Sequence, residues 1–347
     1  MSKMLEEVRQ QPTALERTLR SELKKAEKLR AYFAKNRPKL IMLAARGTSD
    51  NAAQFGRYLL EITTGIPVSL SAPSIATLYK AKLDYSGALC VALSQSGEST
   101  DTNVVLEAAS AGGAMMTIGI TNEAESSMAK IAGDVFLVRA GKEKSVAATK
   151  TYTGQLLCFY LLAYALGADL KLDDFRKIPE FAAKALTLEA EIAQRAQRYR
   201  FMEHAVVVGR GLNYSNAFEF ALKMMETCYV VAERFSSADF QHGPIAMVEQ
   251  SFPMFLFAPT GVTWKGVSEM LAKLNTLQAE ILLIRDQSNK EAAKLKNHQI
   301  ALPMAIDELY TPIPYIIPAQ LFAGSLAAVK GLNPDQPRTI QKVTQTL

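Results

Sequence analysis

The first half of the chain contains two short loops that are dense in hydroxyl side chains. Residues 47–49 read Gly-Thr-Ser, residues 94–100 read Ser-Gln-Ser-Gly-Glu-Ser-Thr, and each loop follows a short apolar run. A loop that leads into a helix presents free backbone N–H groups at the positive end of the helix dipole, and hydroxyl side chains add neutral donors. This chemistry predicts that the loops bind a phosphate group on a small molecule. The alternative is that these serines and threonines only cap helices and form turns.

Three charged side chains on one predicted helix are a second candidate for chemistry. Glu219 and Lys223 are four residues apart, and Lys223 and Glu226 are three apart, so all three lie near one helix face. Charges at these spacings usually form a solvated, salt-bridged face. Here the residues between them are Phe, Ala, Leu and Met, which indicates a largely buried helix whose charges need partners or a function.

Two further segments combine functional side chains with glycine or proline. His242 precedes Gly243 and Pro244, which predicts a constrained and exposed turn. Histidine is the usual general acid or base near neutral pH, and a plain surface histidine is the alternative. Residues 333–342 carry two prolines and read as an irregular extension, for which a disordered terminus is the alternative.

The composition limits the classes of protein to which the chain can belong. The chain has 347 residues, 49% of them hydrophobic and 21% charged, which is enough for about two domains with sizeable cores. Apolar runs such as 156–166 are too short for a membrane span of about 20 residues, and the N-terminus lacks the apolar core of a signal peptide. The net charge of +5 is spread along the chain, so we expect a small anionic ligand and neither nucleic acid nor a membrane as partner.

Cysteine and histidine usage argues against several kinds of site. Cys90, Cys158 and Cys228 are scattered and odd in number, which fits a reducing cytoplasm better than a disulfide framework. The three histidines do not have the spacing of zinc ligands, and the glycine–lysine loop of P-loop ATPases does not occur. We therefore expect no metal site and a cytoplasmic protein.

Short apolar runs alternate with helical patterns along most of the chain. The runs are 40–45, 67–70, 88–93, 114–120, 135–138, 205–209, 252–258, 280–284 and 299–302. This alternation is typical of βαβ units and of a parallel sheet. The two halves also match each other, since the Arg-Gly pair at 46–47 corresponds to 210–211 and Glu61 corresponds to Glu226. These matches indicate an internal duplication with a period near 165 residues.

We therefore predict an α/β protein with two tandem domains. Each is expected to be a doubly wound parallel sheet flanked by helices, a flavodoxin-like three-layer sandwich. The predicted boundaries are 1–172 for an N-terminal helical segment and the first domain, 173–200 for a helical linker, 201–335 for the second domain and 336–347 for a tail. The N-terminal helical stretch is expected to be interrupted at Pro12.

Five motifs occur in an order that resembles the SIS (sugar isomerase) domain family. They are Leu-Ser-Gln-Ser-Gly-Glu-Ser at 93–99, Ala-Ala-Thr-Lys at 147–150, Ala-Leu-Lys-Met-Met-Glu at 221–226, His-Gly-Pro at 242–244 and Asp-Gln-Pro-Arg at 335–338. The chain is similar to the isomerase half of glutamine–fructose-6-phosphate aminotransferase and to stand-alone glucosamine-6-phosphate deaminases of the SIS type. The resemblance implies two tandem SIS domains in a homodimer that acts on a small-molecule sugar phosphate, with no metal and no organic cofactor.

The resemblance also implies roles for individual residues. Phosphate and sugar contacts fall on Thr48, Ser49, Ser94, Gln95, Ser96, Ser99, Val146, Ala148 and Glu219. The catalytic set is Glu226, Lys223, His242 and Lys342. In the family, the counterpart of Glu226 moves a proton between C1 and C2, and that of Lys223 stabilises the enolate-like oxygen. The counterpart of His242 opens the sugar ring from the partner subunit, and that of Lys342 contacts the open-chain sugar or forms an imine with it.

Departures from the family pattern shape the expected reaction. Ala148 replaces a serine, so one hydroxyl contact to the sugar is missing, whereas Ser99 replaces a threonine and keeps the hydroxyl. The chain begins Met-Ser-Lys-Met, and we expect no N-terminal glutaminase domain. We therefore expect the catabolic direction, in which glucosamine 6-phosphate and water give fructose 6-phosphate and ammonia. The alternatives are a phosphosugar isomerase, a deglycase for fructosamine 6-phosphates, and a phosphosugar-sensing regulator without catalysis.

Overall fold

The chain forms two five-stranded parallel sheets with the same strand order. A computed structural model describes residues 2–340 and 342. The strands are β1 (Leu40–Ala44), β2 (Val68–Leu70), β3 (Ala88–Ser94), β4 (Met116–Thr121), β5 (Asp134–Leu137), β6 (His204–Gly209), β7 (Val231–Ser236), β8 (Pro253–Phe257), β9 (Glu280–Asp286) and β10 (His298–Leu302). The order is β2-β1-β3-β4-β5 in the first sheet and β7-β6-β8-β9-β10 in the second, with neighbouring strands parallel. This is the order of doubly wound flavodoxin-like folds, so the predicted fold class is confirmed.

Helices connect the strands and flank the sheets. They are α1 (Lys3–Arg9), α2 (Gln11–Phe33), α3 (Thr48–Thr64), α4 (Ser74–Thr77), α5 (Thr100–Ala111), α6 (Ser127–Ile131), α7 (Lys150–Ala165), α8 (Leu172–Leu186), α9 (Glu189–Ala196), α10 (Tyr214–Cys228), α11 (Ser237–Gln241), α12 (Trp264–Thr276) and α13 (Pro312–Val329). The charged stretch between the two sheets is helical and forms α8 and α9.

Each sheet lies in its own compact unit. Of the described residues, the first unit contains β1–β5 and comprises 10–144, 148–177, 340 and 342, whereas the second unit contains β6–β10 and comprises 2–9, 145–147 and 178–339. Helix α1 thus belongs to the second unit although it begins the chain. It packs so closely on α13 that a Cβ placed on Gly324 would lie 2.7 Å from Leu5 Cδ2.

Apolar residues of the strands, of α5 and α7 in the first unit and of α12 and α13 in the second form the cores. All seven residues of β3 are buried, as expected for a strand covered on both faces. Helix α13 has 18 residues and, by length and composition, is apolar enough to cross a membrane. The prediction that the apolar runs are too short for a membrane span overlooked this helix. Because 83% of α13 is buried inside the protein, it packs as a core helix of the second unit.

Two local features differ from the sequence predictions. Strand β7 was not predicted, because its sequence Val-Ala-Glu-Arg-Phe-Ser mixes charged and apolar residues. Within the described residues it is an edge strand paired with β6 alone, and two of its six residues are buried. The helix break expected at Pro12 lies at Gln10, and Pro12 instead stands in the first turn of α2, where its missing N–H costs nothing.

Candidate functional site

Both hydroxyl-rich loops start at the same edge of the first sheet. Strands β1 and β3 are parallel neighbours, with Leu40 opposite Ala88. The chain leaves β1 towards β2 on one side and leaves β3 towards β4 on the other, so this pair marks the switch point at which doubly wound proteins bind ligands. The loop after β1 enters α3 at Gly47, and the loop after β3 enters α5 at Ser99.

The loop after β3 is held in shape by its own hydrogen bonds. Gly97 has a φ of +68°, and a Cβ there would lie 2.1 Å from Ser126 Oγ, so only glycine fits. The Gly97 amide donates to Ser94 Oγ over 3.1 Å, and its carbonyl accepts from Asn103 Nδ2 over 3.1 Å. The Ser96 hydroxyl accepts the amide N–H two residues further on, over 3.2 Å. The loop is therefore organised by its own sequence.

The hydroxyl groups of the two loops differ in exposure and in partners. Thr48, Gln95, Ser96 and Ser99 are half-buried, and Ser49 and Ser94 are buried. Ser49 Oγ accepts a hydrogen bond from Gln155 Nε2 of α7 over 2.9 Å. Ser99 occupies the N-cap position of α5, yet its side chain makes no capping hydrogen bond. Helix capping therefore does not account for this serine.

An ion pair joins the two loops. Arg46, directly before Gly47, donates from Nε and from Nη2 to Asp101 Oδ2, each over 2.8 Å. The Asp101 side chain is 2% exposed and stands in the first turn of α5. The pair therefore links the start of one loop to the first turn of α5, although the Arg46 side chain is 50% exposed. Sequence reasoning missed it, although an arginine ahead of one loop and an aspartate behind the other were a usable signal.

The single carboxylate inside residues 94–100 is held away from the loop hydroxyls. Glu98 accepts from the Ser127 amide over 2.9 Å and from the Ser127 hydroxyl over 2.7 Å. These hydrogen bonds lower the pKa of Glu98. The loop therefore keeps its backbone and hydroxyl donors while its own negative charge is bound by α6.

Helix α10 of the second unit carries the predicted cluster of three charges. The side chains of Glu219 and Lys223 are fully buried, and that of Glu226 is 22% exposed. Lys223 Nζ lies 2.6 Å from Glu226 Oε2 and 3.4 Å from Glu219 Oε1. The burial confirms the interpretation of α10 as a buried helix and contradicts that of a solvated face.

The electrostatics of this cluster keep Lys223 charged. Burial disfavours the ammonium form, but the two carboxylates and their hydrogen bonds raise the pKa of Lys223 above its ordinary value. Of the three side chains, Glu226 alone reaches solvent. A partly exposed carboxylate beside a fixed ammonium can transfer a proton while the cation stabilises developing negative charge. Across residues 2–340 and 342, no group of three or more histidine, cysteine, aspartate or glutamate side chains is arranged to hold a metal ion.

The remaining predicted residues are divided between the two units. Val146, Glu219, Lys223, Glu226 and His242 lie in the second unit. Thr48, Ser49, Ser94, Gln95, Ser96, Ser99, Ala148 and Lys342 lie in the first. His242 is exposed directly after α11, as its turn predicts, and its ring makes no hydrogen bond or ion pair within the described part of the chain. Gln341 and residues 343–347 of the predicted tail lie outside the described residues.

Sequence reasoning missed several acidic residues, buried or partly buried, that hold these segments in place. Asp335 caps α1, because its carboxylate accepts from the amides of Lys3 over 2.7 Å and Met4 over 2.9 Å. In the same unit, Glu7 Oε2 accepts from the amide of Ser145, next to Val146, over 3.1 Å. In the first unit, Lys342 Nζ donates to Glu143 over 3.1 Å. These contacts join residues far apart in the chain, and no periodicity in the sequence indicates them.

Comparisons with known proteins agree on the family. The SIS-domain model matches residues 36–165 and 201–330. Glutamine–fructose-6-phosphate aminotransferase (isomerizing) of Pyrococcus horikoshii is 34% identical over 351 residues, which cover 98% of this chain and 57% of that protein. The chain thus spans little more than half the length of this relative.

Solved structures match over almost the whole chain. The C-terminal domain of glucosamine-fructose-6-phosphate aminotransferase from Francisella tularensis has a TM-score of 0.89 at 28% identity, with 97% of this chain and 98% of that chain covered. Glucosamine-6-phosphate deaminase from Thermotoga maritima has a TM-score of 0.82 at 21% identity, covers 99% of this chain and 100% of that chain, and shows likeness of fold alone. The chain therefore belongs to the SIS-domain family, carries two copies of the domain, and is homologous to the isomerase domain of glutamine–fructose-6-phosphate aminotransferase.

Proposed function

We propose that the chain is a glucosamine-6-phosphate deaminase, which converts glucosamine 6-phosphate and water into fructose 6-phosphate and ammonia. The observation that carries the proposal is the Lys223–Glu226 pair, whose charged atoms lie 2.6 Å apart on a buried helix. Membership of the SIS family supports a sugar phosphate as substrate, and the names of the homologous aminotransferases support an amino sugar. A regulator that only binds phosphosugars has no need of a buried ammonium–carboxylate pair.

The first steps of the proposed reaction open the ring and move one proton. His242 assists opening of the pyranose to the aldehyde. Glu226 then removes the proton from C2, and the electron pair forms a C1–C2 double bond with negative charge on the C1 oxygen. Lys223 stabilises that charge, and Glu226 returns the proton to C1 while one proton passes from the amine nitrogen to the C1 oxygen. The product of these steps is an imine at C2 beside a C1 hydroxyl.

Hydrolysis of the imine completes the reaction. Water adds to C2, and the nitrogen leaves as ammonia to give the C2 ketone. One water is consumed and one ammonia is released, with no net oxidation or reduction. The C1 carbonyl group accepts the electron pair in the proton transfer and the C2 imine accepts it in the hydrolysis, so the chemistry requires no organic cofactor.

We assign phosphate binding to the two loops of the first unit. They combine backbone N–H groups at the starts of α3 and α5 with the half-buried hydroxyls of Thr48, Ser96 and Ser99. Such donors bind a phosphate dianion without a permanent positive charge. Holding the phosphate restricts the motion of the sugar that carries it, which is the positional part of catalysis.

We further propose that His242 serves the site of a partner subunit in a homodimer, because its ring is exposed and makes no hydrogen bond or ion pair within residues 2–340 and 342. A mixture of Glu226→Gln and His242→Ala chains tests this. If His242 acts across subunits, a mixed dimer has one site with both wild-type groups, and activity returns on mixing. Activity that stays at the level of the separate variants would show that His242 acts within its own chain or not at all.

The direct test of the reaction is the release of ammonia from glucosamine 6-phosphate by the purified 347-residue protein. Fructose 6-phosphate is measured in the same samples by a coupled assay. The proposal expects both products at equal rates. Ketose formation from an aldose 6-phosphate without ammonia would instead establish an isomerase. Stabilisation by sugar phosphates without any turnover would establish a sensor.

A further inference from the structure

A buried carboxylate in the first unit collects four donors. Glu143 lies in the loop before α7, and its side chain is 0% exposed. Its Oε1 accepts from the amides of Thr149 over 3.0 Å and Thr151 over 3.1 Å. Its Oε2 accepts from the Thr151 hydroxyl over 2.7 Å and from Lys342 Nζ over 3.1 Å. One carboxylate therefore caps the start of α7 and binds the lysine of the C-terminal tail.

The environment keeps this carboxylate ionised. Burial raises the pKa of Glu143, but the Lys342 ammonium and the hydrogen bonds from Thr151 and Thr149 outweigh burial and hold the pKa below its ordinary value. A buried charge is tolerated only when it is paired and hydrogen-bonded, and here both conditions are met.

The two oxygens of Glu143 are used differently. A helix cap needs only the oxygen that faces the first amides of α7, and a short polar side chain within the cap itself would provide it. The second oxygen is bound by the Thr151 hydroxyl and by Lys342, whose own side chain is 24% exposed. A lysine has four rotatable side-chain bonds, and fixing its ammonium before the substrate arrives removes much of that freedom.

We propose that Glu143 is a positioning residue that holds Lys342 in place for the reaction. This inference rests on the proposed function, in which Lys342 contacts the open-chain sugar. Glu143 itself need not touch the substrate. Its effect on turnover passes through Lys342, and that dependence can be measured.

A double-variant cycle on kcat tests the dependence. Glu143→Gln is expected to lower kcat by about 100-fold, the cost of a catalytic group displaced by about 1 Å, with a smaller change in KM. In a Lys342→Met background the same substitution is expected to have almost no further effect, because the group that it positions is already absent. If the reduction in kcat of the double variant equals the product of the two single-variant reductions, the proposal is overturned. Glu143→Asp, which keeps the charge on a shorter side chain, replaces the glutamine variant if that variant does not fold.

The reactivity of Lys342 provides a measurement that does not depend on the reaction. Reductive methylation followed by mass spectrometry is expected to modify Lys342 several-fold faster in Glu143→Gln than in the wild type. Glu22→Gln is the matched control, since Glu22 is also a buried carboxylate of the first unit (1% exposed) and pairs with Arg139 over 2.9 Å. The control is expected to leave Lys342 labelling unchanged. Equal labelling of Lys342 in the wild type and in Glu143→Gln would overturn the proposal, whereas a wild type that releases no ammonia would overturn the proposed function and leave this labelling test in force.

Discussion

The two units share a strand order but differ in the loop that follows their third strand. After β3 the first unit has Ser-Gln-Ser-Gly-Glu-Ser-Thr at 94–100, and after β8 the second has Ala-Pro-Thr-Gly-Val-Thr-Trp at 258–264. The glycine with positive φ stands at the same place in both, as Gly97 and Gly261. Their φ values are +68° and +134°, so a glycine is retained at this position while most of the polar side chains around it are replaced in the second unit. Retaining a glycine at this position does not retain the polar side chains around it.

In the helix after the first strand, it is the second unit that carries the charged side chains and the first that lacks them. Counting back from the matching pair Glu61 and Glu226, the charged residues Glu219 and Lys223 of α10 correspond to Gln54 and Tyr58 of α3. Glu61 Oε1 accepts from the amide of Val68 over 2.9 Å and so supports the start of β2. In α10 the corresponding carboxylate pairs with a buried lysine.

The comparison teaches that one fold, used twice, holds two different sets of side chains. The first unit concentrates neutral hydrogen-bond donors at its switch point, and the second concentrates a buried ammonium and two carboxylates on one helix. We interpret this as a division of labour between phosphate binding and proton transfer. The first two pairs of variants below change one unit and its counterpart in the other, and the predictions run from the largest expected effect to the smallest.

Removing the buried cation of the second unit is expected to have the largest effect. Lys223→Met leaves the Glu219 carboxylate buried without its ammonium, which costs about 3–5 kcal/mol of unfolding free energy. The counterpart Tyr58→Leu in α3 removes no charge and is expected to cost about 1 kcal/mol. Urea unfolding of the two variants measures the difference. Glu219→Gln added to Lys223→Met should recover part of the loss, and equal losses in the two single variants would contradict the comparison.

Removing a loop hydroxyl is expected to affect binding in the first unit only. Ser99 makes no capping hydrogen bond, so Ser99→Ala should raise the KM for glucosamine 6-phosphate by about 10-fold, the cost of one hydrogen bond to a charged group, without lowering the melting temperature. The counterpart Thr263 donates its hydroxyl to Glu308. Thr263→Val should therefore lower the melting temperature and leave KM unchanged. Steady-state kinetics and thermal unfolding separate the two outcomes, and a KM that rises equally in both variants would refute the assignment of phosphate binding to one unit.

A smaller effect is expected in the pH dependence of stability. Because the pKa of Glu143 is lower in the folded chain than in the unfolded one, its stabilising contribution is present above about pH 4.5 and is lost as the pH falls through the folded value. Glu143→Gln should be less stable than the wild type at pH 6, and the difference should shrink below pH 4.5. Unfolding midpoints from pH 6 to pH 3 provide the measurement. Lys223, whose pKa is raised, stays protonated over this whole range, and its own contribution is lost only as the pH rises through its folded pKa.

Features that depend on neighbouring residues could be predicted from the pattern of the sequence. Buried strands such as β3 are continuous apolar runs, and the spacing of Lys223 and Glu226 places them on one helix face, so both could be read from the sequence. Edge strand β7 could not, because its register with β6 is fixed by the sheet and not by an apolar pattern of its own.

Contacts between segments that are far apart in the chain could not be predicted from local sequence patterns. The Glu143–Lys342 pair joins residues 199 positions apart, and the Asp335 cap on α1 spans more than 330. Each depends on where whole elements pack. The placement of α1 in the second unit has the same origin, since it is decided by the contact of Leu5 with α13.

The most direct test of the division of labour is to measure binding and turnover separately in Glu226→Gln. Isothermal titration with glucosamine 6-phosphate reports binding, and the coupled release of ammonia and fructose 6-phosphate reports turnover. The account predicts a Kd within about threefold of the wild-type value and a kcat reduced by about 1,000-fold, the usual contribution of a general base. A Glu226→Gln enzyme that keeps near-wild-type turnover, or one that loses binding in proportion to turnover, would contradict it.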